Sequence, residues 1–115
     1  MKDYKKYNVW IIGHEVTMDI YNLTQSFPAD EKFEITNQMR RASSSIPANI
    51  AEGCGRESDA EFRRFLIISQ GSASELAYFT ILAKDLKYIK NDDFLIIHDK
   101  ANKIKRSLNN LIQKL

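Results

Sequence analysis

Six polar side chains stand in single file between residues 38 and 56: Gln38, Arg41, Ser45, Asn49, Glu52 and Arg56. Their spacing of 3, 4, 4, 3 and 4 residues places them within about 80° of one another on a helix. Amide, guanidinium, hydroxyl and carboxylate groups in that order can hold a polar ligand or satisfy one another. Catalysis asks for more, a group poised to ionise near neutral pH or an activated nucleophile. The file contains neither His nor Cys. Three readings are open. The favoured one is a structural network in which Arg41 pairs with Glu52 while Asn49 and Gln38 satisfy backbone or a neighbouring helix. The others are a binding site and a solvated face without a role.

The remaining chemistry-bearing residues do not assemble into a reaction centre. His14 and His98 fall on different helices with no ligand cluster near them in sequence, whereas zinc needs three or four ligands. Cys54 sits beside an apolar stripe, where a thiol is ordinarily inert packing. Glu52 and Glu75 would be a carboxylate pair only if one open cleft held both. Gly53-x-Gly55 closes a helix and is not a phosphate loop. No enzyme activity, cofactor or metal is expected.

The elements that carry these residues read as helices. Ile35, Met39, Ala42, Ile46, Ile50 and Gly53 form an apolar stripe beside the polar file. Pro47 interrupts that helix by removing the amide that would bond the Ser43 carbonyl. A kinked helix and two abutting helices are both open. Both stripes keep phase across Pro47, which favours the kink, and Ser43, Ser44 and Ser45 offer hydroxyls to the freed carbonyls. Ser58 to Glu61 spells a capping box, opening a long helix with two adjacent apolar seams. Phe94, Ile97, Ala101, Ile104, Leu108, Leu111 and Leu115 step by 3 and 4 in a heptad seam. Helices are expected at roughly 10–26, 35–54, 58–89 and 92–115. Gly13 leaves the first start open between Val9 and His14. The class is all-α, an up-and-down four-helix bundle.

Length and composition agree with one domain over residues 1–115. Four Gly and two Pro leave little room for the turns of an all-β fold. A single Cys excludes an internal disulfide framework and fits a reducing compartment, so a cytoplasmic location is expected. No consecutive apolar run reaches the roughly 18–20 residues that span a bilayer, and the short VWII run is no secretory signal.

The runs QMRRASSSIPANIAEGCGR and EFRRFLIISQGSASEL carry a resemblance. They resemble the four-helix-bundle proteins encoded by intervening sequences of bacterial large-subunit rRNA genes. That family is related to the accessory variability proteins of diversity-generating retroelements. The likeness covers roughly Tyr21 to Ile89. It implies a bundle that assembles as a homopentameric ring, without enzymatic activity. It also implies nucleic acid, RNA or DNA, and a reverse transcriptase as partners of the retroelement relatives. The family's characteristic residues fall on Gln38, Arg41, Asn49, Glu52, Gly53, Arg56, Gly71 and Glu75, with Glu75 able to meet Arg41 or Arg56.

Two surfaces follow from the pattern. The long third helix is apolar over about half its circumference, more than a bundle helix needs. The surplus, including Phe65, Ile68, Phe79 and Leu82, is expected in a subunit interface. The chain carries 17 basic and 15 acidic residues, a net charge of only +2. From Lys100 to Leu115 there are five basic residues and no acid. Lys103, Arg106 and Lys114 should face outward, with Lys100 on the flank, as a phosphate-binding surface with little sequence preference. The alternative is a protein-interaction scaffold without nucleic-acid binding.

Overall fold

The computed structural model describes residues 2–115. Four α-helices follow one another: α1 (Asn8–Thr24), α2 (Ile35–Cys54), α3 (Asp59–Asp85) and α4 (Asn91–Gln113). Short 3₁₀ turns at Tyr4–Lys6 and Ala29–Glu31 precede α1 and α2. No strand occurs among the described residues. α2 packs most extensively on α3, α3 on α4 and α1 on α2, and a thinner α1–α4 contact closes the bundle. The result is an all-α bundle measuring 43 × 23 × 19 Å. Its core runs along the axis through Val16, Ile20, Met39, Ile46, Ile50, Phe62, Leu66, Leu76, Ile97, Ile104 and Leu108. The apolar stripes of α2 and α4 therefore point inward.

The helix ends have local causes. Ser58 caps α3 by accepting from the Glu61 amide at 3.1 Å. Only this half of the capping box forms, because the Glu61 carboxylate turns to Arg64 instead. α3 ends at Asp85, short of the expected Ile89. Lys87 adopts a left-handed φ of 65°. The Tyr88 amide then bonds the Ala83 carbonyl and the Lys87 amide bonds that of Lys84, the paired bonds of a Schellman turn. A Lys where Gly is usual hides this stop from sequence. α1 starts at Asn8 and carries Gly13 inside it. Asn91 to Asp93 do not cap α4; Lys90 is its N-cap, and the two aspartates lie in the first turn, where negative charge suits the helix dipole.

α2 is one helix that runs through Pro47. Proline leaves the Ser43 carbonyl without its intrahelical donor, and α1 supplies one. The Thr17 hydroxyl lies 2.9 Å from the Ser43 carbonyl oxygen and 2.8 Å from that of Gly13. On the other side, the Ser69 hydroxyl of α3 donates to the Ile46 carbonyl at 2.9 Å. All three of Thr17, Ser43 and Ser69 are buried. The local serines do not serve this carbonyl. Those of Ser43 and Ser44 donate to the Arg40 carbonyl, one turn earlier. Gly13 lets α1 come this close. A methyl group there would meet the Ile46 Cγ2 at 3.1 Å and the Pro47 ring at 3.5 Å.

A thermodynamic cycle tests the link between Thr17 and Pro47. Thr17→Val should cost about 1–3 kcal/mol, because a buried carbonyl loses its donor. In a Pro47→Ala background the restored amide serves Ser43, so the same change should cost clearly less. Equal costs by chemical denaturation in both backgrounds would refute the coupling.

Candidate functional site

The polar file is present on α2, but most of it faces outward. Gln38 and Asn49 are half-buried, whereas Arg41, Glu52 and Arg56 are exposed, as is Glu75 on α3. The structural network expected of the file is therefore corrected for its charged members, which lie exposed in the single chain. Asn49 donates to the Ser45 carbonyl and hydroxyl at 2.8 and 2.9 Å. Ser45 is joined in turn by Ser72 of α3 at 2.9 Å. Glu52 does not pair with Arg41. It pairs with Arg56 one turn on, at 2.8 Å. Arg41 and Glu75 make no ion pair among the described residues. The file thus splits into a half-buried amide–hydroxyl seam between α2 and α3 and a set of exposed charges beside it.

Behind this seam the helices touch closely. A methyl at Gly53 would fall 2.9 Å from the Phe65 Cβ and 3.0 Å from the Phe62 Cδ1. Phe65 is buried in its own chain, with the guanidinium groups of Arg56 and Arg64 each 4.7 Å from its ring centre. It is not free for a subunit contact. Phe79 and Leu82 also pack against the core. Ile68 remains exposed at 40 %. Three exposed α3 residues escaped the sequence reading: Ile67, Tyr78 and Ile81. The signal was there, since Ile67, Gly71, Ser74, Tyr78 and Ile81 step by 4, 3, 4 and 3 on the side opposite the core. Gly71 is exposed, and a methyl placed there would meet nothing within 4 Å.

From Phe65 to Ala83 the only charged side chain is Glu75. α3 is accordingly long and apolar enough to cross a membrane by length and composition, although no apolar run of that length exists in the sequence. One third of its most apolar window is buried within the chain. The rest is half-buried, as at Phe79 and Leu82, or exposed, as at Ile67, Ile68, Tyr78 and Ile81.

The basic half of α4 is thinner than its composition suggests. Lys100 is half-buried and bonds Asp19 of α1 at 2.6 Å, with Glu15 at 4.0 Å. It ties α1 to α4 and is not available to a phosphate. Lys103 pairs with Asp99 at 3.4 Å in an exposed contact of small energetic weight. Arg106 and Lys114 are exposed and make no ion pair among the described residues. Sequence counting missed the acids because Asp99 lies just before the basic run and Glu15 and Asp19 lie on another helix.

His14 stacks on Trp10 at 5.4 Å, and His98 stacks on Phe94 at 5.1 Å beside Asn102. No cluster of three or more His, Cys, Asp or Glu suited to a metal gathers among the described residues. Cys54 is buried, and burial pushes its thiol above the usual range, with Lys2 opposing and Asp3 adding to the shift. A protonated thiol under a lid of packing is a poor nucleophile.

Residues 5–110 match the family model described as 23S rRNA-intervening sequence protein. No curated protein matches the chain. Among solved structures, the chain is similar to a crystal structure from Bacteroides thetaiotaomicron, described as a protein of unknown function from the S23 ribosomal protein family. Identity is 28 %, the TM-score is 0.84, and the match covers 90 % of this chain and 97 % of that one.

Two outcomes check the site. Glu52→Ala should melt within about 0.5 kcal/mol of the parent, as an exposed pair one helical turn apart implies, while Asn49→Ala should cost about 1 kcal/mol through its half-buried bonds. The Cys54 thiol should react with a disulfide reagent far more slowly in the native chain than in urea. Its raised pKa favours the native state below the unfolded-state pKa, and that contribution is lost as pH rises through the folded value.

Proposed function

The chain belongs to the 23S rRNA-intervening sequence protein family, and on that premise we propose a non-catalytic bundle that self-associates through α3 and engages nucleic-acid backbones through α4. The observation that carries the reading is the outer face of α3, where Ile67, Ile68, Tyr78 and Ile81 stand exposed with Glu75 as the lone charge. A contiguous exposed apolar face of this kind marks a site of interaction with another surface. A second copy of the chain supplies one with the same repeat. The ring of five implied by the resemblance is the proposed assembly. In it Arg41, which makes no ion pair among the described residues, would answer Glu75 of a neighbouring copy, a charged contact that would fix register.

Self-association also bears on nucleic acid. Arg106, Lys114 and the weakly held Lys103 give each chain a small outward cationic surface. One such surface binds phosphate weakly, and several in one assembly bind together. Contact with backbone phosphates makes the binding salt-dependent and nearly blind to sequence. A retroelement-type accessory role, with RNA or DNA and a reverse transcriptase as partners, is the specific form of this proposal. A protein-interaction scaffold without nucleic acid is the second reading. The pairing of Lys100 with Asp19 favours it, because this removes one expected phosphate ligand.

Light scattering at micromolar concentration should give a multiple of the chain mass. Ile67→Lys with Tyr78→Lys should return it to the single-chain mass while circular dichroism stays helical. A monomeric parent would refute self-association. In fluorescence anisotropy, unrelated single- and double-stranded probes should bind at low salt and release as salt rises. Lys103→Glu with Arg106→Glu should abolish binding and leave the assembly intact. No binding by the intact assembly at low salt leaves the scaffold.

A further inference from the structure

α3 is not alone in having a bare outer seam. On α1, Ile11, His14, Met18 and Tyr21 step by 3, 4 and 3, and all four are exposed. His14 lies flat on the Trp10 ring. The only charged side chains of α1 are Glu15 and Asp19. Asp19 is half-buried against Lys100, so Glu15 alone flanks the seam with an exposed charge. Within the bundle α1 touches α2 and α4, α3 touches the same two, and α1 and α3 do not touch. They stand at diagonal corners, and their bare faces look out from opposite sides of the chain.

One symmetric contact cannot cover both faces. α3 packed on α3 closes a pair and leaves α1 bare. α1 of one copy packed on α3 of the next is a head-to-tail contact that covers both and repeats around a ring. The heights of the two seams agree with it. The Thr17 hydroxyl meets the Ser43 carbonyl, and the Ser69 hydroxyl meets the Ile46 carbonyl. Ser43 and Ile46 lie within one turn of α2, so the Gly13–Thr17 stretch of α1 and Ser69 of α3 stand at about one level. α1 and α3 run in the same direction. In a ring whose axis follows the bundle, Ile11 therefore comes to Ile67, Met18 to Gly71 and Ser74, and Tyr21 to Tyr78. Large side chains of α1 meet the small ones of α3, where a methyl on Gly71 would find nothing within 4 Å in its own chain.

Charge agrees as well. Glu15 lies on the side of α1 that faces α4, 4.0 Å from the Lys100 ammonium. Lys105 lies on the side of α4 that faces α3, about three turns beyond Phe94, whose ring is 4.4 Å from the Lys84 ammonium of α3. Lys105 is half-buried and makes no ion pair among the described residues. The bond from Lys100 to Asp19 fixes α4 against α1 and puts Lys105 within about a turn of the level of Glu15. With α1 of one copy on α3 of the next, both groups lie on the α4 side of the contact. We infer that the outer faces of α1 and α3 are the two halves of one head-to-tail interface between copies of this chain, with Glu15 of one copy paired to Lys105 of the next. The inference rests on the self-association proposed above and adds its second face.

Light scattering on the full chain tests it. Ile11→Lys with Met18→Lys disables the α1 face, and Ile67→Lys with Tyr78→Lys disables the α3 face. All four positions are exposed, so circular dichroism should stay helical. Each variant alone should run at the single-chain mass. Mixed in equal amounts, the two should form a two-chain complex and nothing larger, because one working face of each kind remains. An α1 variant that assembles like the parent overturns the inference and leaves self-association standing, as does a mixture that stays at the single-chain mass beside an assembled parent. A parent at the single-chain mass overturns self-association and this interface with it. Within the two-chain complex, Lys105→Gln in the α1 variant or Glu15→Gln in the α3 variant should each weaken binding about threefold, and both together no more than either alone. The same changes placed in the opposite chains should have no effect. Additive losses, or equal losses from either placement, overturn the pairing.

Discussion

A single missing amide organises this bundle. Pro47 lies buried in the middle of α2, and the carbonyl of Ser43 has no donor within its own helix. A buried carbonyl in that position must find a partner or be a standing cost. The partner is Thr17, from a different helix. That bond requires α1 to lie against α2 at this level, and Gly13 is the residue that permits it. The Ser69 bond to Ile46 does the same for α3. Three helices are therefore registered by hydroxyl–carbonyl bonds to Ser43 and Ile46, three residues apart on α2. Apolar packing sets the fit of one helix on another through ridges and grooves, and these bonds add a match of polar groups at a fixed height.

The same level of the bundle explains the odd composition of α2. Its serine hydroxyls are spent on its own backbone and on α3. Ser43 and Ser44 serve Arg40, and Ser45 gathers Asn49 and Ser72. Small side chains here keep α2 and α3 close, and Gly53 continues that closeness to the turn, where Phe62 and Phe65 press against it. The longer charged members of the file cannot enter so narrow a seam. They project outward, which is why Arg41, Glu52 and Arg56 are exposed although they share a face with Asn49.

What could be read from sequence depended on whether the cause was local. The heptad seam of α4 is a local pattern, and Ile97, Ala101, Ile104 and Leu108 are buried as their spacing requires. The stripe of α2 from Ile35 to Ile50 behaves likewise. The end of α3 was missed because a Lys occupies the left-handed position, stabilised by two bonds that its identity does not announce. Lys100 was misplaced because its partners lie about 80 residues away in sequence, on α1. Phe65 was assigned to an outer surface because a helical wheel cannot show that Arg56 and Arg64 fold over its ring. Arg40 was passed over in favour of Arg41, its neighbour on the polar file. Its tie to Thr24 joins the ends of two helices and is visible only in three dimensions.

Charge is distributed by the same logic. Where helices already meet, opposite charges are paired: Lys100 with Asp19 between α1 and α4, and Lys2 with Asp59 between the leading turn and α3. Along the outer side of α3 there is almost no charge to pair. An exposed helix face normally carries Lys and Glu for solubility, at little cost to the fold. Their scarcity on the outer positions between Ile67 and Ile81, where Glu75 is the lone charge, is not required by packing inside the chain, since those positions point away from the core. Nor is it a matter of helix propensity, because Gly71 and Ser74 are poor helix formers on an open face. Small residues between larger apolar ones lower the surface and let another backbone approach, which has value only if something approaches. Intrachain energetics account for the hydroxyl seam around Pro47 and not for the outer seam of α3, and that difference is the observation behind the proposed self-association.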